Sequence, residues 1–64
     1  MISYDPLFLT LKKKDISTYY LIQNGIDKKT IHRIKHNENI TLLTVEKICT
    51  ILECEIQDVV KINY

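Results

Sequence analysis

The sequence has few of the residues that form loops, disulfide frameworks or aromatic-rich cores. Its 64 residues include one Gly, one Pro, two Cys and no Trp. Cys49 and Cys54 could form at most one short-range bridge, whereas small secreted scaffolds normally carry several. We therefore expect reduced thiols and a fold that depends on its hydrophobic core.

Long apolar runs are also absent. No stretch approaches the roughly 18 residues of a membrane span, and residues 1–10 lack the basic start and apolar centre of a secretion signal. We therefore expect a cytoplasmic protein. The composition, 45% hydrophobic and 27% charged, is typical of a globular chain. A chain this short buries only about 60% of its unfolded surface, so we expect a single compact domain over residues 1–64.

Catalytic motifs are missing as well. The sequence has no Gly-rich phosphate loop, and no acid pair or triad stands at a convincing spacing. Tyr4 and Tyr20 are expected to pack with their hydroxyls in water. We expect no enzymatic activity and no cofactor.

Positive charge is concentrated in one short segment. The net charge is only +1, but residues 27–37 carry +3, residues 1–26 carry +1, and the rest of the chain carries −3. The basic segment, IDKKTIHRIKHNEN at residues 26–39, also has isoleucines at helical spacing. It combines a core-forming pattern with a cluster of cations.

Capping signals predict helices before and after a tight turn. Asp5 before Pro6 predicts the start of a first helix over about 6–13. Ser17 is expected to cap a second helix, and Gly25 to end it in the left-handed conformation. Asp27 is expected to cap a third helix two residues later. Two helices joined by so short a turn containing glycine are typical of a helix-turn-helix.

The third helix is predicted over about residues 28–36, with Asn37 in the left-handed position that ends it. At about 100° per residue, Ile31 and Ile34 fall on one face. Four donors occupy the opposite face: Lys29, His32, Arg33 and His36. Thr41 is expected to cap a fourth, strongly apolar helix, and a short fifth helix is predicted over about 56–61. No strand pattern is present. The predicted fold is all-α, with five short helices.

The chain resembles the Cro/C1-type (XRE-like) helix-turn-helix family of transcriptional regulators, in a compact single-domain form. The likeness lies in ISTYYLIQNGIDKKTIHRI, followed by TLLTVEKICTIL and CEIQDVV. Two departures are visible: the second helix is one residue short of the usual spacing, and Asn37-Glu38 stands where Asn-Gly is common. The resemblance implies a lambda-repressor-like fold and sequence-specific binding to double-stranded DNA.

Residues near the start of the third helix would enter the major groove of DNA. Five of them are expected to reach base edges: Lys28, Lys29, Thr30, His32 and Arg33. Arg33 is the strongest candidate because its forked guanidinium can bind the O6 and N7 acceptors of guanine together. Thr30 could contact a thymine methyl group or simply complete the first turn.

The resemblance also implies two phosphate clamps. The first is the start of the second helix, and the second is the loop after the third helix together with the start of the fourth. The expected phosphate contacts are Ser17, Thr18, Tyr19, Lys35, His36, Asn37, Asn39 and Thr41. Lys12, Lys13 and Lys14 could supply longer-range attraction.

Assembly and partners follow from the size of the module. A domain this small has a small footprint on DNA, so we expect a homodimer on a palindromic operator. Its expected interface is apolar and C-terminal: Ile56, Val60, Ile62 and Tyr64. Repression by operator occlusion is the expected mode of action, and no small-molecule effector is expected.

Several other interpretations of the same residues exist. Basic residues opposite an apolar face are often an ordinary solvated surface. His32 and His36 have ligand spacing, but Cys49 is better interpreted as a core residue and Cys54 has no C-x2-C partner, so we expect no metal. The principal alternative function is a protein-binding module, such as an antitoxin or regulator-binding protein, whose basic helix meets an acidic partner.

Overall fold

The computed structural model describes all 64 residues and contains four α-helices. They are α1 (Asp5–Lys14), α2 (Thr18–Gln23), α3 (Lys28–Lys35) and α4 (Leu42–Leu52). A single 3-10 turn follows at Ile56–Asp58. Two short strands, β1 (Ile2–Ser3) and β2 (Lys61–Ile62), pair antiparallel with Ile2 opposite Ile62. None of the helices is both long enough and apolar enough to cross a membrane.

The core lies between the four helices and the C-terminal segment. Eleven buried apolar side chains form one cluster: Tyr4, Leu7, Leu11, Leu21, Ile26, Ile31, Ile34, Val45, Ile48, Leu52 and Val59. Every helix contributes at least one of these side chains. In α1, α3 and α4 the buried residues recur at helical spacing, as expected for amphipathic helices around a shared core. The core-facing sides of α3 and α4 are therefore as predicted.

The predicted fifth helix is wrong. Residues 56–58 form one 3-10 turn, closed by a capping box in which Glu55 and Asp58 bond each other's backbone N–H groups. Val59 is fully buried and its carbonyl accepts a bond from the N–H of Leu7. The chain beyond Val59 then pairs with the N-terminus as β2. Pairing with β1 replaces a second helical turn in a segment rich in β-branched residues, which favour strands.

The expectation of no strands is wrong for the same reason. Both strands have only two residues, which is too short for an alternating pattern to show in the sequence. The N–H of Asn63 extends the pairing to the carbonyl of Met1 over 2.7 Å. The two ends of the chain are thereby fastened together.

Two predicted caps also differ. Asp5 is the first helical residue of α1 and not its cap; Tyr4 holds that position, and the N–H of Asp5 donates to Oγ of buried Ser3 over 3.2 Å. Ser17 does hold the N-cap position of α2, but its side chain accepts no hydrogen bond from the helix. The start of α2 therefore keeps backbone N–H groups without side-chain partners.

Candidate nucleic-acid interface

The turn between α2 and α3 has the predicted geometry. Gly25 adopts a φ of +104°, in the region that favours glycine, and Ile26 is buried directly after it. A brace that the sequence did not reveal comes from α4, where Nζ of Lys47 donates to the carbonyl oxygen of Gly25 over 3.0 Å. The same ammonium lies 3.0 Å from where a Cβ at Gly25 would stand. The angle between α2 and α3 is thus supported from a third helix.

Asp27 begins α3 as predicted. Its Oδ1 accepts a hydrogen bond from the N–H of Thr30 over 2.7 Å. The pKa of the Asp27 carboxyl is lowered, first by this bond, then by the hydroxyl of Thr30, and further by the positive charges of Arg33 and Lys29. The backbone N–H of Thr30 is therefore committed to the cap, which favours the interpretation of Thr30 as a residue that completes the first turn.

The two faces of α3 separate as predicted. Ile31 and Ile34 are 5% and 1% exposed, whereas Lys28, Lys29, His32, Arg33 and Lys35 are all exposed. Thr30 is half-buried between the two faces. The isoleucines fix the rotation of the helix about its axis, and this rotation presents the cations together on the surface.

His32 and His36 lie one turn apart and in contact. Their ring centroids are 4.2 Å apart with a 39° tilt between the planes. Nδ1 of His36 lies 2.8 Å from the carbonyl oxygen of His32. Because a carbonyl can only accept, Nδ1 carries the proton and Nε2 of His36 is left to bind an outside group. No group of three or more His, Cys, Asp or Glu side chains in the chain is arranged to hold a metal ion.

The end of α3 is fixed by its own backbone and by Tyr4. Asn37 takes the predicted left-handed conformation with φ 54°, and the N–H of Glu38 reaches back to the carbonyl of Arg33 over 2.8 Å, as in a Schellman motif. Oδ1 of Asn37 accepts a bond from the N–H of Tyr4, and the Tyr4 hydroxyl donates to the carbonyl of Glu38 over 2.6 Å.

These bonds change the interpretation of both side chains. The hydroxyl of Tyr4 is not in water as expected, because the side chain is 1% exposed and bonded to Glu38. Burial raises the pKa of this hydroxyl above its ordinary value. Asn37 has committed its oxygen to the protein, so only its amide N–H groups remain for a phosphate.

The residues predicted for the first phosphate clamp lie at the start of α2. Ser17 and Tyr19 are exposed and Thr18 is half-buried. Ser17 has an extended backbone, and its carbonyl accepts the N–H of Tyr20 over 3.1 Å. The hydroxyls of these residues and the first N–H groups of α2 are available as donors.

The second predicted clamp surrounds the start of α4. Thr41 caps this helix, with Oγ1 3.1 Å from the N–H of Thr44 and 2.9 Å from its hydroxyl. Lys35, His36 and Asn39 are exposed in the preceding segment. Sequence reasoning missed Leu42 and Leu43, which are 77% and 73% exposed in the first turn of α4. Leu43 lies outside the helical spacing of Val45 and Ile48, which was a signal for its exposure, whereas Leu42 continues that spacing and gave no such signal.

The residues predicted for a dimer interface form an outward-facing apolar group at the other end of the chain. Ile56 is 50% exposed and Ile62 is 59% exposed, Val60 is half-buried, and Tyr64 is fully exposed. Met1 and Ile2, brought alongside by the strand pair, are exposed as well. The pairing thus adds N-terminal side chains to the predicted surface.

Comparison with known proteins identifies the arrangement. The sequence matches the model of the Cro/C1-type HTH DNA-binding domain over residues 10–63. The chain belongs to this family. A crystal structure of the transcriptional regulator VanUg superposes with a TM-score of 0.87 and 28% sequence identity, over 94% of this chain and 81% of that one. No curated protein matches the sequence. The fold and the family suggested by the sequence are thereby confirmed.

Proposed function

We propose that this protein is a sequence-specific, double-stranded DNA-binding regulator that represses transcription by occupying an operator. One observation carries the proposal: α3 presents Lys28, Lys29 and Arg33 on its exposed face, while its isoleucines are locked in the core. A major groove about 12 Å wide accepts one α-helix. Membership of a DNA-binding family and the likeness to a transcriptional regulator support it.

In this pose α3 enters the major groove and reads bases near its N-terminal half. Arg33 donates to O6 and N7 of a guanine, while Lys28, Lys29 and His32 contact neighbouring bases or phosphates. Thr30 contributes a methyl contact to a thymine. Each good bidentate contact is worth about 1–3 kcal/mol of discrimination against the wrong base.

Phosphates on either side of the groove hold the helix at the required depth. One clamp consists of Ser17, Thr18 and Tyr19 at the start of α2. The other clamp contains polar side chains around the α3–α4 segment: Lys35, His36, Asn37, Asn39 and Thr41. The Lys47 brace on Gly25 and the Tyr4 bonds to Asn37 and Glu38 fix both clamps relative to α3, which is what register on a duplex requires.

The functional unit in this proposal is a homodimer on a palindromic site. The apolar group of Ile56, Ile62 and Tyr64, which are exposed, and Val60, which is half-buried, supplies the interface. Two recognition helices would then address half-sites about 34 Å apart. Sedimentation analysis tests this step. Ile62→Lys should shift the protein to monomer and weaken binding to a palindrome far more than binding to a single half-site, whereas an unchanged assembly would exclude this surface as the interface.

Salt dependence provides the first test of DNA binding. Affinity for a duplex selected from a random pool should fall linearly in a log–log plot against salt, with a slope of about −0.9 for each phosphate neutralised. A flat salt dependence, or no duplex binding at low salt, would contradict the proposal.

A second candidate function is supported by Leu42 and Leu43. Two exposed leucines next to a basic helix suit a protein partner with an acidic, partly apolar surface, as in an antitoxin or regulator-binding module. The variant Leu42→Ser with Leu43→Ser separates the two functions. Duplex affinity should stay nearly unchanged in this variant if the two leucines serve a protein partner, whereas a large loss of duplex affinity would place them in the DNA contact.

A further inference from the structure

The two cysteines are brought together by the way α4 ends. Glu53 adopts the left-handed conformation, the N–H of Cys54 donates to the carbonyl of Cys49 over 3.0 Å, and the N–H of Glu53 donates to that of Thr50. These are the two bonds of a Schellman motif, in which the side chains at the two ends frequently contact each other, and here both side chains line the same cleft. In this chain those side chains are the thiols of Cys49 and Cys54.

The thiol pair borders an open cleft between α1, α4 and the 3-10 turn. The cleft has a volume of about 730 Å³ and none of its lining residues lies in α2 or α3. Both cysteines are free and half-buried. The pair is thus accessible to a small ion from solvent and is separate from the candidate DNA-binding surface.

The cleft favours a cation over an anion. Its lining contains four carboxylates, from Glu46, Glu53, Glu55 and Asp58, and two lysine ammonium groups, from Lys13 and Lys14, a formal charge of −2. This negative potential opposes formation of a bare thiolate unless another positive charge enters with it.

Burial and the nearby carboxylates affect the pKa of both thiols. Burial raises the pKa of both thiols, that of Cys54 to about 11, and the nearby Asp58 raises both further. The two thiols also affect each other, because the neighbouring sulfur lowers the pKa of Cys49 and raises that of Cys54. Because the thiolate and not the thiol is the metal ligand, a cation that binds this pair displaces the thiol protons.

The number of ligands restricts which cation fits. Structural zinc takes four protein ligands, and no group of three or more His, Cys, Asp or Glu side chains in this chain is arranged to hold a metal ion. Thiolate ligands select soft ions such as Cu(I), and a monovalent d10 ion of this kind is satisfied by two sulfur ligands in a linear arrangement.

We propose that Cys49 and Cys54 form a two-thiolate binding site for a soft monovalent metal ion of the Cu(I) class. On binding, two S–H bonds break, two metal–sulfur bonds form, and two protons pass to solvent. The metal stays in its +1 state, so no oxidant or reductant takes part. This site would make the regulator responsive to a ligand independently of the residues that contact DNA.

The test is an anaerobic titration of the intact protein with Cu(I), in the presence of a competing Cu(I) chelator. Native mass spectrometry should show one ion per chain with a mass corresponding to the loss of two protons, and a sulfur-to-metal absorption band should appear in the ultraviolet. Cys49→Ser and Cys54→Ser should each abolish the band and the stoichiometric complex. Far-UV circular dichroism establishes that the variants are folded.

A matched control removes the other pair of soft-ion ligands. His32→Gln with His36→Gln should retain the complex in full, because the site lies elsewhere in the fold. In the parent protein, one equivalent of Cu(I) should protect both thiols from alkylation, a readout that needs no substitution. Equal Cu(I) binding by the Cys49→Ser variant, an ion shared between two chains, or alkylation of both thiols at the unprotected rate would overturn the proposal.

Discussion

The backbone N–H of Tyr4 donates a hydrogen bond to Oδ1 of Asn37 over 3.1 Å, although the two residues are 33 positions apart in the chain. Asn37 ends the proposed recognition helix in the left-handed conformation, so this bond joins the end of α3 to the start of α1. The Tyr4 hydroxyl adds a second bond to Glu38. The loop that carries one proposed phosphate clamp is therefore held by the N-terminus of the protein.

Two substitutions at Asn37 separate the stability that comes from its hydrogen bond to Tyr4 from the cost of its left-handed backbone conformation. Asn37→Gly should lose the bond to Tyr4 and cost about 1 kcal/mol in the free energy of unfolding. Asn37→Ala should cost about 1 kcal/mol more, because alanine also pays for the left-handed conformation. Urea unfolding measures both. Equal stability of the two variants would show that the conformation at position 37 carries no strain.

Removal of the Tyr4 hydroxyl should affect binding through the clamp. Tyr4→Phe keeps the ring in the core and removes the bond to Glu38, for an expected cost of about 1 kcal/mol in the free energy of unfolding. Its affinity for duplex should fall for specific and random sequences alike, since a phosphate clamp carries no sequence information. If affinity fell only for the specific sequence, the Tyr4 hydroxyl would be acting on the base contacts of α3 and not on the phosphate clamp.

Gly25 and Lys47 should be coupled. Gly25→Ala should destabilise the protein by about 1–3 kcal/mol, because φ is +104° and the new Cβ would meet the Lys47 ammonium at 3.0 Å. In a Lys47→Ala background the steric part disappears and only the backbone part remains. Thermal or urea unfolding of the four proteins gives the coupling energy directly, and a value of zero would mean that Lys47 moves aside without cost.

The Asp27 cap predicts a pH dependence of stability. Its folded pKa lies below the ordinary value of 3.8, so its contribution is fully present above the unfolded pKa and is lost as the pH falls through the folded pKa. Asp27→Asn keeps a capping side chain without the charge. The stability difference between parent and variant should be constant above about pH 5 and shrink below pH 3.8. A difference that stays constant down to pH 2 would contradict the assignment.

Local signals in the sequence were sufficient for the central part of the fold. Gly25, Asp27, Asn37 and Thr41 each act at a helix end through their own backbone or side chain, and the spacing of Ile31 and Ile34 determines which side of α3 is buried. These interactions span only a few residues, so a short stretch of sequence is enough to predict them.

The parts that could not be predicted depend on residues far apart in sequence. The strand pair joins positions 2–3 to 61–62, and this pairing ends the 3-10 turn that was predicted to continue as a fifth helix. The Lys47 brace and the Tyr4 bonds also cross the fold. No short pattern encodes such contacts, since each depends on how helices pack.

In the candidate site, too, some features could be predicted from local sequence and others could not. Exposure of Lys28, Lys29 and Arg33 follows from helix geometry and is observed, whereas their contacts with bases stay predictions. Asn37 was assigned to phosphate from its position alone, and its oxygen proved to be occupied by Tyr4. Leu42 and Leu43 were assigned no role from the sequence, and both are exposed.

A double substitution tests the role of the basic face. Lys29→Ala with Arg33→Ala should leave far-UV circular dichroism and the unfolding midpoint nearly unchanged, since both side chains are exposed, and should abolish specific duplex binding. Lys12→Ala with Lys61→Ala removes the same charge from exposed positions outside α3 and should weaken binding only modestly. Similar losses in the two variants would mean that net charge alone, and not the position of the cations, determines affinity.

Arg33 is proposed to read a guanine from the major groove, and a chemical substitution in the DNA tests this contact without altering the protein. In a duplex selected by the parent protein, each guanine is replaced in turn by 7-deazaguanine, which lacks the N7 acceptor. At one position the parent protein should lose about 1 kcal/mol or more, while Arg33→Ala, already weakened, should lose nothing further. Equal losses for both proteins at every guanine would show that Arg33 does not bind a guanine N7.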